Sequence, residues 1–305
     1  LNTKMMKRIF FFLLCMFIST YTFAQYNFSD YIDAAKKGDP NAQHKVGVCY
    51  ALGLGVNKDE TKAIKWYLKS ANQGFAKAQN SLAFCYKNGL GVTKNPKEAF
   101  SWWEKAAKQG LTQAQSNLGS CYSFGFGVEQ DYTQAAKWYQ LAASQNDAEA
   151  ENYLALLYRD GRGVDANPTK AFELWLKSAT QDNLDAQNNL GYCYDKGFGT
   201  VQNTTEAFKW WKKAADKGHF DSILRVADCY SSGHGVEKDL TNAALYIFQG
   251  AEKGDAASQY NLGICYTYGI GFKKDTEKAK EWFEKAAKQG HKGAIDIVDG
   301  KNKIE

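Results

Sequence analysis

The sequence predicts an all-α solenoid, in which about seven repeats of 36 residues each fold into two helices. One observation is a tyrosine that returns every 36 residues, at Tyr50, Tyr86, Tyr122, Tyr158, Tyr194, Tyr230 and Tyr266. A second is a pair of glycines in the same register, which begins at Gly53, Gly89, Gly125, Gly161, Gly197, Gly233 and Gly269. A third is an alanine at Ala63, Ala99, Ala135, Ala171, Ala207, Ala243 and Ala279. A fixed period of this length is typical of stacked two-helix units, which bury a continuous core only by contacting their neighbours.

Residues 1–24 have the pattern of a secretory signal peptide. A positively charged start precedes an apolar run at residues 9–18, which is too short to cross a bilayer as a helix. Small residues then place the expected cleavage before Gln25. A lipoprotein anchor at Cys15 is the alternative, although bulky leucines precede that cysteine. We therefore expect a bacterial protein exported to the periplasm or beyond, with a mature solenoid domain at residues 25–305.

The mature chain is expected to begin and end with half a repeat. Residues 31–38 match the end of every later repeat, so a lone helix is expected there. Residues 291–298 keep the register of a first helix and form the second cap. Between the two caps, full repeats are expected to start near residues 42, 78, 114, 150, 186, 222 and 258.

Each repeat is expected to contain a first helix, a glycine turn and a second helix. In the first repeat the first helix covers residues 42–52, because Val46 and Cys49 follow its start at helical spacing. The paired glycines allow the positive φ that ends a helix. Proline stands at the expected first position of a second helix at Pro96 and Pro168. The residue before each second helix is a preferred N-cap, namely Asp59, Asn95, Asp131, Asn167, Asn203, Asp239 and Asp275.

The repeated residues resemble the Sel-one-like repeat (SLR) family, which is related to the tetratricopeptide repeat. The shared pattern is A-Q-x-x-L-G-x-x-Y-x-x-G-x-G-V, then Asp or Asn, A-x-x-W and A-A-x-x-G. It is nearly complete at residues 78–110, 114–143 and 186–218. Departures from it are Leu157 for cysteine, Asn183 for the closing glycine, Ser222 for alanine and Tyr246 for tryptophan.

The resemblance covers residues 31–298, essentially the whole mature chain. It implies a right-handed superhelix of antiparallel helices that serves as an interaction scaffold and has no shared active site. Some secreted SLR proteins carry two cysteines per repeat that bridge the helices of a unit. This chain lacks the second cysteine, so that scheme is not carried over.

The six cysteines of the mature chain occupy one repeat position, at Cys49, Cys85, Cys121, Cys193, Cys229 and Cys265. Equivalent helices of neighbouring repeats pack about 8–10 Å apart, whereas a disulfide needs Cα atoms within about 7 Å. We therefore expect free, buried thiols that pack as small hydrophobic groups. Whether any pair forms under oxidising conditions stays open.

Composition and motifs favour a protein without an active site, a cofactor or a metal. Removing the three cations before Gln25 from the net charge of +5 leaves +2, which suits neither nucleic acid nor an anionic membrane. The histidines His44, His219, His234 and His291 occupy different repeat positions, without ligand spacing. The Gly-x-Gly loops lack the Lys-Ser/Thr of a phosphate-binding loop, so they are interpreted as turns.

The tryptophans could form an aromatic binding groove or part of the core. Five recur on the alanine-lined face of the second helix, at Trp66, Trp102, Trp138, Trp210 and Trp282. Trp103, Trp175 and Trp211 lie beside that position. The shared face favours the core interpretation.

The face of the first helix opposite the core differs between repeats, which indicates positions without a packing role. We name it the first-helix stripe. The resemblance implies that first helices line the concave side, so these positions and their flanks should form a groove. Amides that hydrogen-bond an extended backbone alternate there with isolated apolar side chains, which suits a peptide or protein ligand. The candidate partner-binding residues are Asn80, Phe84, Lys87, Asn117, Asn152, Tyr153, Leu156, Arg159, Asn188, Asn189, Tyr192, Asp195, Arg225, Asp228, Tyr260 and Ile264.

The expected function is an exported, monomeric, non-enzymatic scaffold that binds a protein or peptide in this groove. It is expected to have no nucleic-acid partner and no membrane insertion after leader cleavage. The alternative is a cell-wall-directed enzyme, because some secreted SLR proteins are linked to penicillin binding and β-lactam hydrolysis. The sequence contains no S-x-x-K or comparable nucleophile–base pair to support that alternative.

Overall fold

The computed structural model describes residues 28–301, so the leader predicted at residues 1–24 lies outside the described part. Within that range the chain forms sixteen α-helices and no strand. The chain divides into two compact units, of which the first ends at Gln145 and the second begins at Asn146.

The first unit contains a lone helix followed by three antiparallel helix pairs. The lone helix is α1 (Phe28–Lys36), close to the cap expected at residues 31–38. The pairs are α2 (Pro40–Leu52) with α3 (Glu60–Asn72), α4 (Ala76–Asn88) with α5 (Pro96–Lys108), and α6 (Thr112–Phe124) with α7 (Tyr132–Ala143).

The second unit contains four helix pairs followed by a short helix. The short helix is α16 (Lys292–Val298), in the place of the cap expected at residues 291–298. The pairs are α8 (Ala148–Asp160) with α9 (Pro168–Thr180), α10 (Leu184–Lys196) with α11 (Thr204–Asp216), α12 (Phe220–Ser232) with α13 (Leu240–Glu252), and α14 (Ala256–Tyr268) with α15 (Thr276–Lys288).

The predicted N-caps of the second helices are all confirmed. Each cap side chain accepts a hydrogen bond from the backbone N–H three residues later, as Asp59 does from Lys62 at 2.8 Å. The backbone N–H of every cap also donates to the carbonyl oxygen of the repeating tyrosine, as in Asp59 to Tyr50 at 2.8 Å. The tyrosine register therefore marks the hydrogen bond that closes the turn between the helices of a pair.

The first helices begin about two residues earlier than predicted, because their own N-caps were missed. Side chains of Asp39, Asp147, Asn183 and Asp255 accept the capping hydrogen bond, and His219 and His291 do so through Nδ1. The equivalent residues Phe75 and Leu111 cap no helix with a side chain.

The interpretation of Asn183 as the substitute for a closing glycine is wrong. The residue in that left-handed position is Asp182, with φ of +67°, and Asn146 has φ of +61° in the preceding repeat. Asn183 is instead the N-cap of α10 and accepts a hydrogen bond from the backbone of Ala186 at 2.8 Å. Asn and Asp tolerate left-handed backbone better than most residues, which explains their use here.

The core of each unit is formed by small residues against large aromatic ones. The predicted alanines of the second helices are all buried, and Trp103, Tyr139 and Trp175 lie against the first helices almost without exposure. The expectation for the other tryptophans holds in part. Trp102 and Trp282 are buried, whereas Trp66, Trp138 and Trp210 are only half-buried.

Candidate functional site

In the first unit, the side chain of the stripe residue Asn80 is held by a hydrogen bond from a buried tryptophan. The indole N–H of Trp103 donates to Asn80 Oδ1 at 3.0 Å. Asn117 Nδ2 donates to the same oxygen from the next first helix at 3.4 Å. An indole nitrogen is only a donor, so the oxygen edge of Asn80 must face the tryptophan. The Nδ2 edge of Asn80 is consequently the one left for a ligand.

The second unit repeats this arrangement with different residues. Trp175 Nε1 donates to Asn152 Oδ1 at 3.0 Å, and Asn189 Nδ2 donates to the same atom at 3.2 Å. The side chain of Asn152 is only 4% exposed. The expectation that stripe positions carry no packing role is therefore wrong at Asn152, because its oxygen satisfies a buried indole N–H. Its role toward a partner stays a prediction.

The internal repeats contain the signal for this contact, although sequence reasoning missed it. Tryptophan at the deeply buried position of a second helix always follows an asparagine 23 residues earlier: Asn80 with Trp103, Asn152 with Trp175, and Asn188 with Trp211. Where another aromatic residue replaces this tryptophan, another residue also replaces the asparagine. His44 lies against Tyr67 at 5.6 Å between ring centroids, and Tyr260 against Phe283 at 5.7 Å.

Aromatic rings on and beside the stripe are exposed to solvent. Tyr192 is 39% exposed, and Tyr268, at the end of α14, is 55% exposed. In the first unit Phe124 ends α6 and is 66% exposed. Phe84 and Ile264 are half-buried. Scattered apolar side chains are ordinary on protein surfaces, but within each unit these rings lie on or beside the same kind of first-helix face as the oriented amides.

Two cations on the first helices of the second unit, Arg159 of the stripe and its neighbour Lys196, already bind a carboxylate. Arg159 binds Asp160 through Nε at 2.6 Å and Nη2 at 3.1 Å, which holds the pKa of that carboxyl below its usual range. Lys196 binds Asp195 at 2.9 Å.

Asp195 is nearly buried and also binds His234, from the turn after α12. Burial opposes its ionisation, but the hydrogen bonds from Lys196 and His234 prevail and hold its pKa below the usual range. Asp195 therefore stabilises contacts between two repeats, a role that the sequence analysis did not predict.

The remaining candidate residues differ in what they already contact. Asn188 accepts Ser222 Oγ at its side-chain oxygen, at 3.1 Å, and the Trp211 indole N–H at its backbone oxygen, at 3.1 Å. Arg225 lies over the Trp211 ring, 5.4 Å from its centroid. Tyr260 stacks on His291 at 4.5 Å. Arg225 and Asp228 are exposed, as are Lys87 and Tyr192, whereas Tyr153, Leu156 and Asn189 are half-buried.

One cluster has the composition of a catalytic triad. His219 lies 2.8 Å from Ser222 Oγ through Nδ1 and 3.2 Å from Asp185 Oδ1 through Nε2. Ser222 is completely buried, however, so its hydroxyl is out of reach of a substrate. His219 also accepts the Ser222 backbone N–H as the N-cap of α12. The cluster therefore stabilises the start of a helix.

The six cysteines of the described chain are free and buried. Burial raises the pKa of Cys85, Cys121 and Cys193 to about 12, and the pKa of Cys229 and Cys265 to about 11. Such thiols carry almost no thiolate at neutral pH and are poor nucleophiles.

Two kinds of feature are absent from residues 28–301. No group of three or more His, Cys, Asp or Glu side chains there has an arrangement that could hold a metal ion. None of the helices in that range is both long and apolar enough to span a membrane.

A model of the Sel1 repeat matches the chain seven times, at residues 40–75, 76–111, 112–147, 148–183, 184–219, 221–255 and 256–291. These matches confirm the predicted all-α solenoid of seven two-helix repeats, with boundaries about two residues earlier than expected. Among curated proteins, none is significantly similar to the chain.

Two solved structures share both sequence and fold with this chain. One is a protective antigen of uropathogenic Escherichia coli strains that displays an SLR fold, with 35% identity and a TM-score of 0.79. The alignment covers 90% of this chain but 59% of that one. The other is a Sel1 repeat protein from Oxalobacter formigenes, with 32% identity and a TM-score of 0.75, covering 88% of this chain and 78% of that one.

Yeast Tom70 is similar in fold alone, with 14% identity and a TM-score of 0.53. The alignment covers 90% of this chain and 57% of that protein.

Proposed function

This chain belongs to the Sel1 repeat family, and from that premise we propose that it is an exported, non-enzymatic scaffold that binds a protein or peptide partner along its first-helix stripe. The observation that carries the proposal is the tryptophan-locked amide of Asn80, which is half-buried and whose orientation is fixed before a ligand arrives. The same lock recurs in the second unit at Asn152, whose amide is itself almost fully buried.

Pre-organisation matters because ordering side chains at an interface costs about 0.5–1.5 kcal/mol for each flexible group. The Asn80 amide is already immobilised by an indole N–H, so little of this cost remains for it. An extended peptide segment has unpaired backbone groups that such amides can bind, while exposed rings such as Tyr192 contact its side chains. The stripe therefore suits an extended peptide or an unstructured segment of a protein.

The burial of Ser222 and of the thiols among residues 28–301 supports the non-enzymatic part of the proposal. Ser222, beside His219, is completely buried, and the described thiols have raised pKa values. Incubating the protein with nitrocefin tests the cell-wall enzyme alternative. We expect no hydrolysis, and turnover that persists through purification would reject the scaffold as the sole function.

Export is supported by the leader pattern at residues 1–24. We propose cleavage before Gln25 and release to the periplasm or beyond. N-terminal sequencing of the protein recovered from the envelope and the medium tests this directly. A mature chain that starts at Gln25 is the expected result, and an intact or lipid-modified N-terminal segment would contradict it.

Partner binding is tested by capture from envelope extracts with matched variants. Tyr192→Ala with Tyr268→Ala removes two exposed rings from the first helices of the second unit. Leu245→Ala with Phe248→Ala removes comparable exposed apolar area from the second helix α13 and is the control. We expect the first pair to lose a partner that the wild type and the control retain. If only the Leu245→Ala with Phe248→Ala control lost the partner, the binding surface would lie on the second helices instead.

We also propose that the protein is a monomer. Sedimentation equilibrium across a range of concentrations tests this state, and a mass that rises with concentration would overturn it.

A further inference from the structure

One cation beside the stripe of the second unit, Arg225, forms no ion pair with another described residue. Arg159 and Lys196 each bind a carboxylate of their own neighbourhood, Asp160 and Asp195. Among the described residues, no carboxylate forms an ion pair with Arg225, and its side chain is exposed.

The guanidinium of Arg225 is held in place by an aromatic ring. It lies 5.4 Å from the centroid of the Trp211 ring, within cation–π range. That ring is itself fixed, because Trp211 is 3% exposed and its N–H donates to the backbone oxygen of Asn188 at 3.1 Å. The stem and one face of Arg225 are thus positioned without use of its N–H donors.

A comparison between repeats shows what is different at Arg225. Its equivalents 36 and 108 residues earlier are Asn189 and Asn117, which donate to Asn152 and Asn80. Arg225 has no such amide contact, because the side-chain oxygen of the corresponding Asn188 accepts Ser222 Oγ instead. Among residues 28–301, the guanidinium of Arg225 donates no hydrogen bond, so its donors remain for solvent or a ligand.

We propose that Arg225 binds a carboxylate of the partner, so that the ligand of the stripe is an acidic extended peptide. This inference rests on the proposed function and specifies the chemistry of its ligand. The planar guanidinium matches a carboxylate through two parallel hydrogen bonds, and one glutamate, aspartate or chain-terminal carboxylate provides that partner. Because Arg225 is positively charged, the surface around it favours an acidic peptide over a neutral or basic one.

Nearby groups set the strength and the position of this contact. Lys196 lies within electrostatic range of both Arg225 and Tyr192, so the exposed Tyr192 ring belongs to the same region of the second unit as Arg225. Asp228, one helical turn after Arg225, is exposed and binds no cation among residues 28–301. Its charge opposes a bound acid, and removal of that charge should strengthen the preference.

The test is selection of peptides from a random octapeptide phage library on the immobilised protein. The compared proteins are the wild type, Arg225→Glu, Asp228→Asn and Lys285→Glu. Lys285 is a matched control, because it is an exposed cation 3.6 Å from the Trp282 ring but lies on a second helix. Circular dichroism of each variant verifies that it is folded.

The wild type and Lys285→Glu should enrich Asp or Glu at one peptide position, and Asp228→Asn should raise this enrichment. Arg225→Glu should remove the enrichment of acidic residues or replace it with enrichment of Lys or Arg. Synthetic peptides from the selection should bind Arg225→Glu at least about tenfold more weakly, as expected for loss of a bidentate pair.

Peptides enriched without an acidic preference, or with one that Arg225→Glu does not change, would overturn this inference and leave the scaffold function standing. If no protein enriches any peptide, the peptide-binding function itself fails, and the inference fails with it.

Discussion

The indole N–H of Trp175 donates to the side-chain oxygen of Asn152 across 3.0 Å, from a second helix to the first helix of the same repeat. Trp175 has no exposed surface, so this N–H would otherwise be buried without a partner. The contact connects the packing of the core to the orientation of an almost buried amide of the first-helix stripe.

The first prediction concerns this hydrogen bond. Asn152→Leu preserves the approximate shape but leaves the Trp175 N–H unpaired, which should cost about 1–3 kcal/mol in the free energy of unfolding. Asn261→Leu, on the half-buried flank of α14, should change it by less than about 0.5 kcal/mol. Urea denaturation followed by circular dichroism measures both. Equal losses in the free energy of unfolding would show that the hydrogen bond to Trp175 does not stabilise the fold.

A second prediction separates the energetic cost of a left-handed backbone from the cost of a steric collision, at two glycines. Gly110 and Gly127 both have positive φ, of +85° and +74°. A Cβ at Gly110 meets nothing within 4 Å, whereas a Cβ at Gly127 collides with the carbonyl oxygen of Pro96. Gly110→Ala should cost about 1–2 kcal/mol from the left-handed backbone alone. Gly127→Ala should cost clearly more, because backbone of the neighbouring repeat must move.

Thermal denaturation of the two variants provides that comparison. A similar loss of stability in both would mean that the close approach at Gly127 relaxes without cost.

The third prediction concerns the thiols of the chain that starts at Gln25. Burial and the raised pKa values, about 12 at Cys85, Cys121 and Cys193, should keep them unreactive while the protein is folded. Ellman's reagent at pH 8 should label them only after guanidinium denaturation. Rapid labelling of the folded protein, or fewer than six reactive thiols after denaturation without reductant, would contradict burial or the free state respectively.

The fourth prediction is a pH dependence that originates at His44. Burial lowers the pKa of His44 to about 4, with a smaller contribution from Lys77 and Lys45. A base with a lowered folded-state pKa stabilises the fold fully above its unfolded value, about 6.5. Its contribution is lost as the pH falls from that value toward 4.

The loss of stability should be about 1–3 kcal/mol. His44→Asn, which introduces the residue found at the equivalent Asn80 and Asn188, should flatten the profile over that range. Urea unfolding at several pH values gives the comparison. An unchanged profile in the variant would assign the dependence to other groups.

The repeat register predicts most of the fold, because each local signal agrees with the period. Asp59 and its equivalents are capping residues at a constant distance from the glycine turn, and a cap acts within three residues of itself. The caps of the first helices were harder to identify. Their position holds Phe75 and Leu111 as well as Asp39 and His219, so its composition alone does not indicate a helix start.

The candidate site was predictable only as a face of a helix. Helical periodicity placed Asn152 and Arg225 on or beside one stripe, but side-chain contacts depend on rotamers that periodicity does not specify. The pairing of Asn152 with Trp175 could have been inferred from their joint variation across the repeats. Arg225 lies over Trp211 while Ser222 donates to the oxygen of Asn188, and the repeat pattern indicates neither contact.

The most direct test of the central claim is site-specific photocrosslinking in cells that export the protein. A photoreactive phenylalanine would replace Tyr192 on the first-helix stripe or Leu245 on the second helix α13, both of which are exposed. The account predicts a discrete crosslinked partner from position 192 and none from position 245, and loss of the former when Arg225→Glu is added. A partner crosslinked from position 245 and not from position 192 would contradict the stripe as the binding surface.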